Sequence, residues 1–242
     1  ELSIEILLQK AANEPSYRAE FYKRIANEDL IVITQKSDLE NGDQVLKENT
    51  NVNIFTFENG MMPIFTTTDR IFDKGIVKEE VSFLQMKASN LFEIAKETTF
   101  ILNPYSDFSK ELLPIEVEKI LDGTIISENH QQLTIKNDTE VQIGQPSVYP
   151  TEIINSLKVL FENRPNVNKA YLGWIFDPAS GEPPHYIFGI DAESDFQNLI
   201  YEAGFTVKEF LKTPEFVDFI KIENKNGLSN YFVKSTKPFY ET

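Results

Sequence analysis

The side chains that could carry out catalysis are few in this sequence. Its 242 residues include two histidines, His130 and His185, and no cysteine. Histidine and cysteine supply most general bases, covalent nucleophiles and transition-metal ligands in proteins. The sequence also lacks a glycine-rich phosphate loop and a Gly-x-Ser-x-Gly nucleophile motif. We therefore expect no catalytic residues, no bound metal and no cofactor.

His185 could act as a general base or a metal ligand. It follows Pro183-Pro184 and precedes a predicted strand at 187–190. No second histidine and no suitably spaced carboxylate accompanies it in the sequence, so a structural role is favoured over a catalytic one. His130 lies in a polar segment and is predicted to be solvated.

An acidic cluster, Asp191, Glu193 and Asp195, follows the strand predicted at 187–190. A calcium site needs more oxygen ligands than three, held in a suitable loop, and the EF-hand spacing is absent. The simpler interpretation is that Asp195 or the preceding serine caps the next helix. The other acidic residues would then interact favourably with the positive end of that helix.

Residues 170–176 (AYLGWIF) are apolar on both faces of a predicted strand. Alternation places Trp174 and Phe176 on one face and Tyr171 and Ile175 on the other. Such a strand is usually buried on both sides, and this interpretation is favoured. The alternative is a face that awaits a partner, with Trp174 and Phe176 as interface anchors.

A second candidate partner surface lies at Met61 and Met62, together with Phe65 and Phe72. These residues follow Asn59-Gly60, a dipeptide typical of tight hairpin turns. Here too, burial in the core is the favoured interpretation.

Composition and charge indicate a globular, acidic protein. Apolar residues make up 41% and aromatic residues 12%, enough for a sizeable core. The net charge of −15 is spread over both halves, with a balance of −9 in residues 1–125 and −6 in residues 126–242. Such a surface repels phosphate, which argues against a nucleic acid or an anionic membrane as partner. The lack of any run of about 18 apolar residues predicts no membrane span, and the absence of cysteine favours a reducing compartment.

Helices and strands alternate over the first half of the chain. Hydrophobic periodicity and capping residues predict helices at 2–12 (capped by Ser3), 15–27, 67–72, 89–95 (capped by Ser89) and 114–121. Strands are predicted at 30–33, 52–57, 61–66, 81–86 and 100–102. Pro63 should place its strand at a sheet edge or at a bulge, because proline cannot donate a hydrogen bond to a neighbouring strand.

A polar segment at 122–149 is typical of a domain boundary. We predict a domain at 1–144, with a variable loop at 122–139, and a second domain at 145–242. The second domain should contain a helix after residue 150, strands at 170–176, 187–190, 217–222 and 231–233, and a helix at 195–211 that breaks near Gly204. The predicted fold class is α+β, with two mixed α/β domains that each cover a small sheet with helices.

Five stretches together resemble the enhanced serine sensitivity (SseB) family of bacterial proteins. They are LLQKAANEPSYRAEFYKRIANEDLIVI (7–33), MMPIFTTTDRIF (61–72), ETTFILNPYSDFSKELLPIEVEKIL (97–121), VQIGQPSVYPTEIINSLKVLFENRPNVNKAYLGWI (141–175) and PHYIFGIDAESDFQNLI (184–200), the last followed at the end by KPFYE. They cover nearly the whole chain in order, including the N-terminal and C-terminal domains of the family. The segments 35–50 and 122–139 match no family pattern.

The resemblance implies a cytosolic bacterial protein whose family is named for altered sensitivity to serine. The family has no established catalytic residues, so none is carried over. Our first hypothesis is a non-enzymatic, two-domain cytoplasmic protein that binds a protein partner linked to amino-acid metabolism. The alternative is a small-molecule sensor or an enzyme of a novel type, with His185, Tyr186 and Asp191 lining a cleft between the domains. A third hypothesis is a homo-oligomer that associates through an exposed strand edge.

Overall fold

The computed structural model describes residues 2–35, 52–127, 141–223 and 227–242. The chain divides into two compact units, Glu1–Ile125 and Ile126–Thr242. Each unit is built on one mixed five-stranded sheet, so the predicted α+β class is confirmed. The short strand at 142–144 pairs with the second sheet. The segment that contains His130 lies outside the described residues.

The described residues of the first unit form four α-helices and two 3-10 helices beside its sheet. Its elements are α1 (Ile4–Asn13), a 3-10 helix (Pro15–Tyr17), α2 (Arg18–Ile25), β1 (Asp29–Thr34), β2 (Met62–Phe65), a 3-10 helix (Thr68–Gly75), β3 (Ser82–Lys87), α3 (Ala88–Ile94), β4 (Phe100–Leu102), β5 (Lys110–Leu112) and α4 (Pro114–Leu121). The strand order is β3-β1-β2-β4-β5. Strands β2 and β4 are parallel, and the other neighbours are antiparallel.

Helix α1 begins where the sequence predicts. The Ser3 hydroxyl accepts a hydrogen bond from the Ile6 backbone amide at 3.3 Å, which satisfies a donor at the helix start. Leu7 and Leu8 are buried in the core. The predicted cap at Ser89 is wrong, because α3 starts one residue earlier and Ser89 lies inside it.

Pro63 was expected to place its strand at a sheet edge or at a bulge. Strand β2 lies inside the sheet and not at its edge. Pro63 is tolerated because β2 pairs with β1 only through Ile64 and Phe65. Beyond that pair, the Phe55 amide donates to the Ile33 carbonyl at 2.8 Å and takes the place of the missing proline donor. The strand predicted at 52–57 is therefore reduced to a single bridge.

In the part of the second unit that the structure describes, three α-helices and one 3-10 helix accompany the sheet. Its elements are β6 (Gln142–Gly144), α5 (Thr151–Glu162), β7 (Val167–Phe176), β8 (His185–Ala192), α6 (Phe196–Val207), a 3-10 helix (Lys208–Phe210), β9 (Val217–Lys221), α7 (Gly227–Ser235) and β10 (Tyr240–Glu241). The strand order is β10-β7-β8-β9, and β6 also pairs with β7. Strands β8 and β9 are parallel, and the other pairs are antiparallel.

Two predictions in this unit are wrong. Residues 231–233 belong to α7 and form no strand. Their aromatic and β-branched side chains suit a strand locally, but packing of Phe232 against the sheet decides the outcome. Helix α6 also continues through Gly204 to Val207 without a break, because both residues pack in the core.

Strand β7 is covered on both faces along its middle, as predicted, but Trp174 and Phe176 near its end stay partly exposed. Leu172 packs with helices α5 and α6 in one core cluster. Tyr171 and Ile175, on the opposite face, pack with Phe232 of α7 in another cluster. Because side chains alternate along β7, the strand contributes residues to two separate core clusters.

In the described part of the chain, no helix is long and apolar enough to cross a membrane.

Candidate functional site

A cavity of about 370 Å³ opens in the first unit. It lies between α1, the 3-10 helix Thr68–Gly75 and the loop that joins β4 to β5. We call it the polar cleft and define it by its charged and polar side chains: Glu5, Gln9, Arg70, Asp73, Lys74, Asn103, Ser106 and Asp107. Its volume is within the range of small-molecule sites.

Arg70 is the centre of the polar cleft. Its Nε donates a hydrogen bond to Glu5 Oε1 at 2.8 Å, and its Nη1 donates to Asp73 Oδ2 at 3.1 Å. The Ser106 hydroxyl also donates to Asp73. The Arg70–Glu5 pair therefore ties the 3-10 helix to α1, and the Ser106–Asp73 hydrogen bond ties it to the β4–β5 loop.

The side chains of Glu5, Arg70 and Asp73 all stay charged at neutral pH. The hydrogen bond from Arg70 lowers the pKa of Glu5 below its ordinary value. Burial alone would raise the pKa of Asp73, but hydrogen bonds from Ser106 and Arg70 lower it overall. The pKa of Arg70 is raised by hydrogen bonds with Glu5 and Asp73.

Two lining residues of the polar cleft adopt the left-handed backbone conformation without being glycine. Asn103 has φ of 48° and Lys74 has φ of 57°. The Asn103 side chain accepts a hydrogen bond from the Thr66 amide at 3.0 Å, and the Thr66 hydroxyl donates to Glu5 at 2.6 Å. Backbone strain of this kind is concentrated at functional sites in proteins.

Sequence reasoning did not find the polar cleft. Glu5, Arg70 and Ser106 come from three separate parts of the chain, and only the tertiary fold brings them together. The available signal was indirect, since Arg70 and Ser106 lie in stretches that carry the family resemblance.

His185 has a partner that the sequence did not reveal. Its Nε2 lies 2.9 Å from Asp218 Oδ2, and its Nδ1 lies 2.9 Å from the Pro183 carbonyl oxygen. The ring also packs against Phe216, with 4.2 Å between the centroids. Only 8% of His185 is exposed. The imidazolium can donate to both oxygens, so this histidine fastens β8 to β9.

The charge of His185 should make the stability of the protein depend on pH. Burial alone would lower the pKa of His185, but the hydrogen bonds with Asp218 and the Pro183 carbonyl raise it above 6.5. The folded state then binds the proton more tightly than the unfolded state. The stability that protonated His185 contributes is complete below pH 6.5 and is lost as the pH rises through the raised pKa.

An NMR titration of the histidine rings measures this pKa directly, with His130 as the second signal. We expect the pKa of His185 above 6.5 and a fall in the Asp218→Asn variant, in which burial acts without the carboxylate. A value at or below 6.5 in the unaltered protein would contradict the ion pair.

The predicted anchor Trp174 lies on a partly exposed aromatic patch of the second unit. Its ring meets the Tyr186 ring edge to face, with 4.9 Å between the centroids. The Tyr186 hydroxyl donates to the Val148 carbonyl at 3.1 Å, which fixes the loop before α5 beside the pair. Val148 is 69% exposed and Tyr149 is 55% exposed. We call these four residues the aromatic surface.

The other predicted site residues lie apart from one another. Phe176 and Met61 are half-buried, whereas Met62 is 7% exposed and packs in the core of the first unit. His185 and Asp191 lie near opposite ends of β8. Five strand residues lie between them and place them roughly 20 Å apart, so they do not converge on one small ligand.

The predicted helix cap at Asp195 is present only in part. Asp195 occupies the position before α6, but its carboxylate accepts from the Asn198 side chain at 2.7 Å and caps no backbone amide. Among the described residues, no group of three or more histidine, aspartate or glutamate side chains is placed to hold a metal ion.

Comparison with known proteins decides the family. Residues 4–119 match the SseB protein N-terminal domain, and residues 135–242 match the SseB protein C-terminal domain. The chain belongs to the SseB family. It is similar to Protein SseB of Escherichia coli (strain K12) and of Shigella flexneri. Each alignment extends over 244 positions with 25% identity and covers 98% of this chain and 91% of the relative. No solved structure matches it.

Both sites are thus features of an SseB-family chain. The polar cleft falls within the match to the N-terminal domain, and the aromatic surface falls within the match to the C-terminal domain.

Proposed function

We propose that this SseB-family protein is a non-enzymatic interaction module that binds a protein partner through the aromatic surface. The observation that carries the proposal is the Trp174–Tyr186 pair with exposed Val148 and Tyr149 beside it. Tryptophan and tyrosine are the residues that most often dominate binding energy at protein interfaces. The Tyr186–Val148 hydrogen bond holds the surface in place before a partner arrives, which lowers the entropic cost of binding.

Charge indicates what kind of partner fits. The net charge of −15 favours a protein with basic residues around an apolar contact and disfavours nucleic acid and anionic membranes. The basic residues of the partner would speed association at low salt and lose this effect at high salt, whereas the aromatic contact would persist at high salt. A link to serine sensitivity and amino-acid metabolism in the cytoplasm is part of the proposal and rests on the family.

Affinity capture from the protein's own cell lysate, at low and at high salt, tests the proposal. We expect one dominant partner at both salt concentrations and at least tenfold lower recovery with Trp174→Ala. Val148→Ser is a second variant with little effect on folding, because its side chain is mostly exposed, and it should also reduce recovery. Val233→Ser, at another mostly exposed valine, on α7, is the matched control.

Three outcomes would contradict the proposal: no partner at either salt concentration, equal recovery with Trp174→Ala and the unaltered protein, or recovery of the chain itself as the only partner. The last result would favour the homo-oligomer instead.

A further inference from the structure

We propose that the polar cleft binds a small zwitterion, a molecule with an ammonium and a carboxylate group a few ångströms apart, as in an α-amino acid. This inference concerns the first unit and is independent of the aromatic surface in the second.

The charges of the polar cleft exclude simpler ligands. Its lining contains three carboxylates, Glu5, Asp73 and Asp107, and two cations, Arg70 and Lys74. The excess negative charge repels a plain anion. A plain cation would meet the Arg70 guanidinium, which lies between Glu5 and Asp73. A ligand that carries both charges can place each beside its opposite.

The rim of the polar cleft offers both charges on accessible side chains. Lys74 Nζ and Asp107 Oδ1 form an ion pair at 2.8 Å, with 55% and 80% of the two side chains exposed. Exposed pairs of this kind contribute little to stability, so they separate readily. A zwitterion can replace the pair by bringing its carboxylate to Lys74 and its ammonium to Asp107. A ligand with one charge would leave one partner unpaired.

The backbone at this position supports the same assignment. Lys74 is in the left-handed conformation, which is unfavourable for a lysine. Both Asp73 and Lys74 line the cavity. Leu8 and Phe108 supply apolar lining beside the charged groups, as the side chain of an amino acid would require.

Isothermal titration calorimetry on the full chain tests the ligand class. The probes are the common L-α-amino acids taken one at a time, with L-lactate and ethylamine as analogues of alanine that keep only the carboxylate or only the ammonium. We expect saturable binding of at least one amino acid and no saturable binding of either analogue. Binding of an analogue as tightly as alanine, or no binding of any amino acid, would overturn the proposal.

Two variants test the location. Lys74→Gly removes the charge and keeps the left-handed backbone accessible, and we expect at least tenfold weaker binding of the amino acid that binds best. Lys78→Gly removes an exposed charge from the same segment outside the cavity lining and should leave binding unchanged. Equal binding by Lys74→Gly and the unaltered protein would place the ligand elsewhere and overturn the assignment.

Discussion

Replacing Phe232 with alanine should destabilise the second unit by about 3–5 kcal/mol. Phe232 is fully buried between α7 and the sheet. Two strand glycines make room for its ring: a Cβ atom on Gly189 would lie 2.8 Å from the ring, and one on Gly173 would lie 3.0 Å from it. Tyr171 packs beside it with 6.0 Å between the centroids. Because the sheet is shaped to this ring, truncation leaves a cavity that its neighbours cannot easily fill.

Urea unfolding monitored by fluorescence measures this loss. The chain has one tryptophan, Trp174, and it lies in β7 of the second unit, so its emission reports this unit. Val233→Ala, at the next residue of α7, is 56% exposed in the native protein and should change the unfolding free energy by less than about 1 kcal/mol. A loss below about 1 kcal/mol for Phe232→Ala would contradict the packing described.

Replacing Arg164 with leucine should cost about 3–5 kcal/mol of unfolding free energy. Arg164 follows α5, and its Nε lies 2.6 Å from Glu202 Oε2 on α6. Only 5% of Glu202 is exposed. Without the guanidinium, the carboxylate would be a buried charge that has lost its ionic partner, and desolvation would dominate.

The double variant Arg164→Leu/Glu202→Leu separates charge from packing. Removing both charges should recover most of the lost unfolding free energy, because two buried leucines need no ionic partner. Lys169→Leu, which breaks an exposed ion pair with Glu241 in the same unit, should leave the unfolding free energy unchanged. A double variant as unstable as Arg164→Leu would show that the loss is not caused by the buried charge.

Local signals predicted the parts of the fold that local physics determines. Ser3 and the spacing of Ile4, Leu7 and Leu8 defined α1. The two apolar faces of 170–176 predicted a strand that packs into a core on each side, which it does along its middle. These features depend on neighbours in sequence, which periodicity and capping rules describe well.

Features that depend on tertiary contacts were missed. Pro63 is tolerated inside a sheet because the backbone amide of Phe55, which lies outside β2, donates to the Ile33 carbonyl in its place. Asp218 meets His185 because β8 and β9 run parallel, and no sequence spacing encodes that pairing. The helix that carries Phe232 was predicted as a strand because aromatic side chains favour strands when packing is ignored.

The polar cleft is the clearest example of this limit. Arg70 is unremarkable in the sequence, since neither Glu5 nor Asp73 forms a recognised motif with it. Its role becomes visible only when α1 and the 3-10 helix Thr68–Gly75 meet. A site made of charged side chains on separate elements is recognised by the distances between them, and those distances are set by tertiary packing. Local sequence patterns do not contain them.

Site-specific photo-crosslinking at two exposed valines tests the central claim, that the aromatic surface binds a protein partner. A benzophenone amino acid replaces Val148 on that surface or Val233 on α7, residues that are 69% and 56% exposed. After irradiation in cells, we predict a discrete crosslinked band of higher mass with the probe at 148 and none with the probe at 233. No band at 148, or the same band at both positions, would contradict the proposed docking surface.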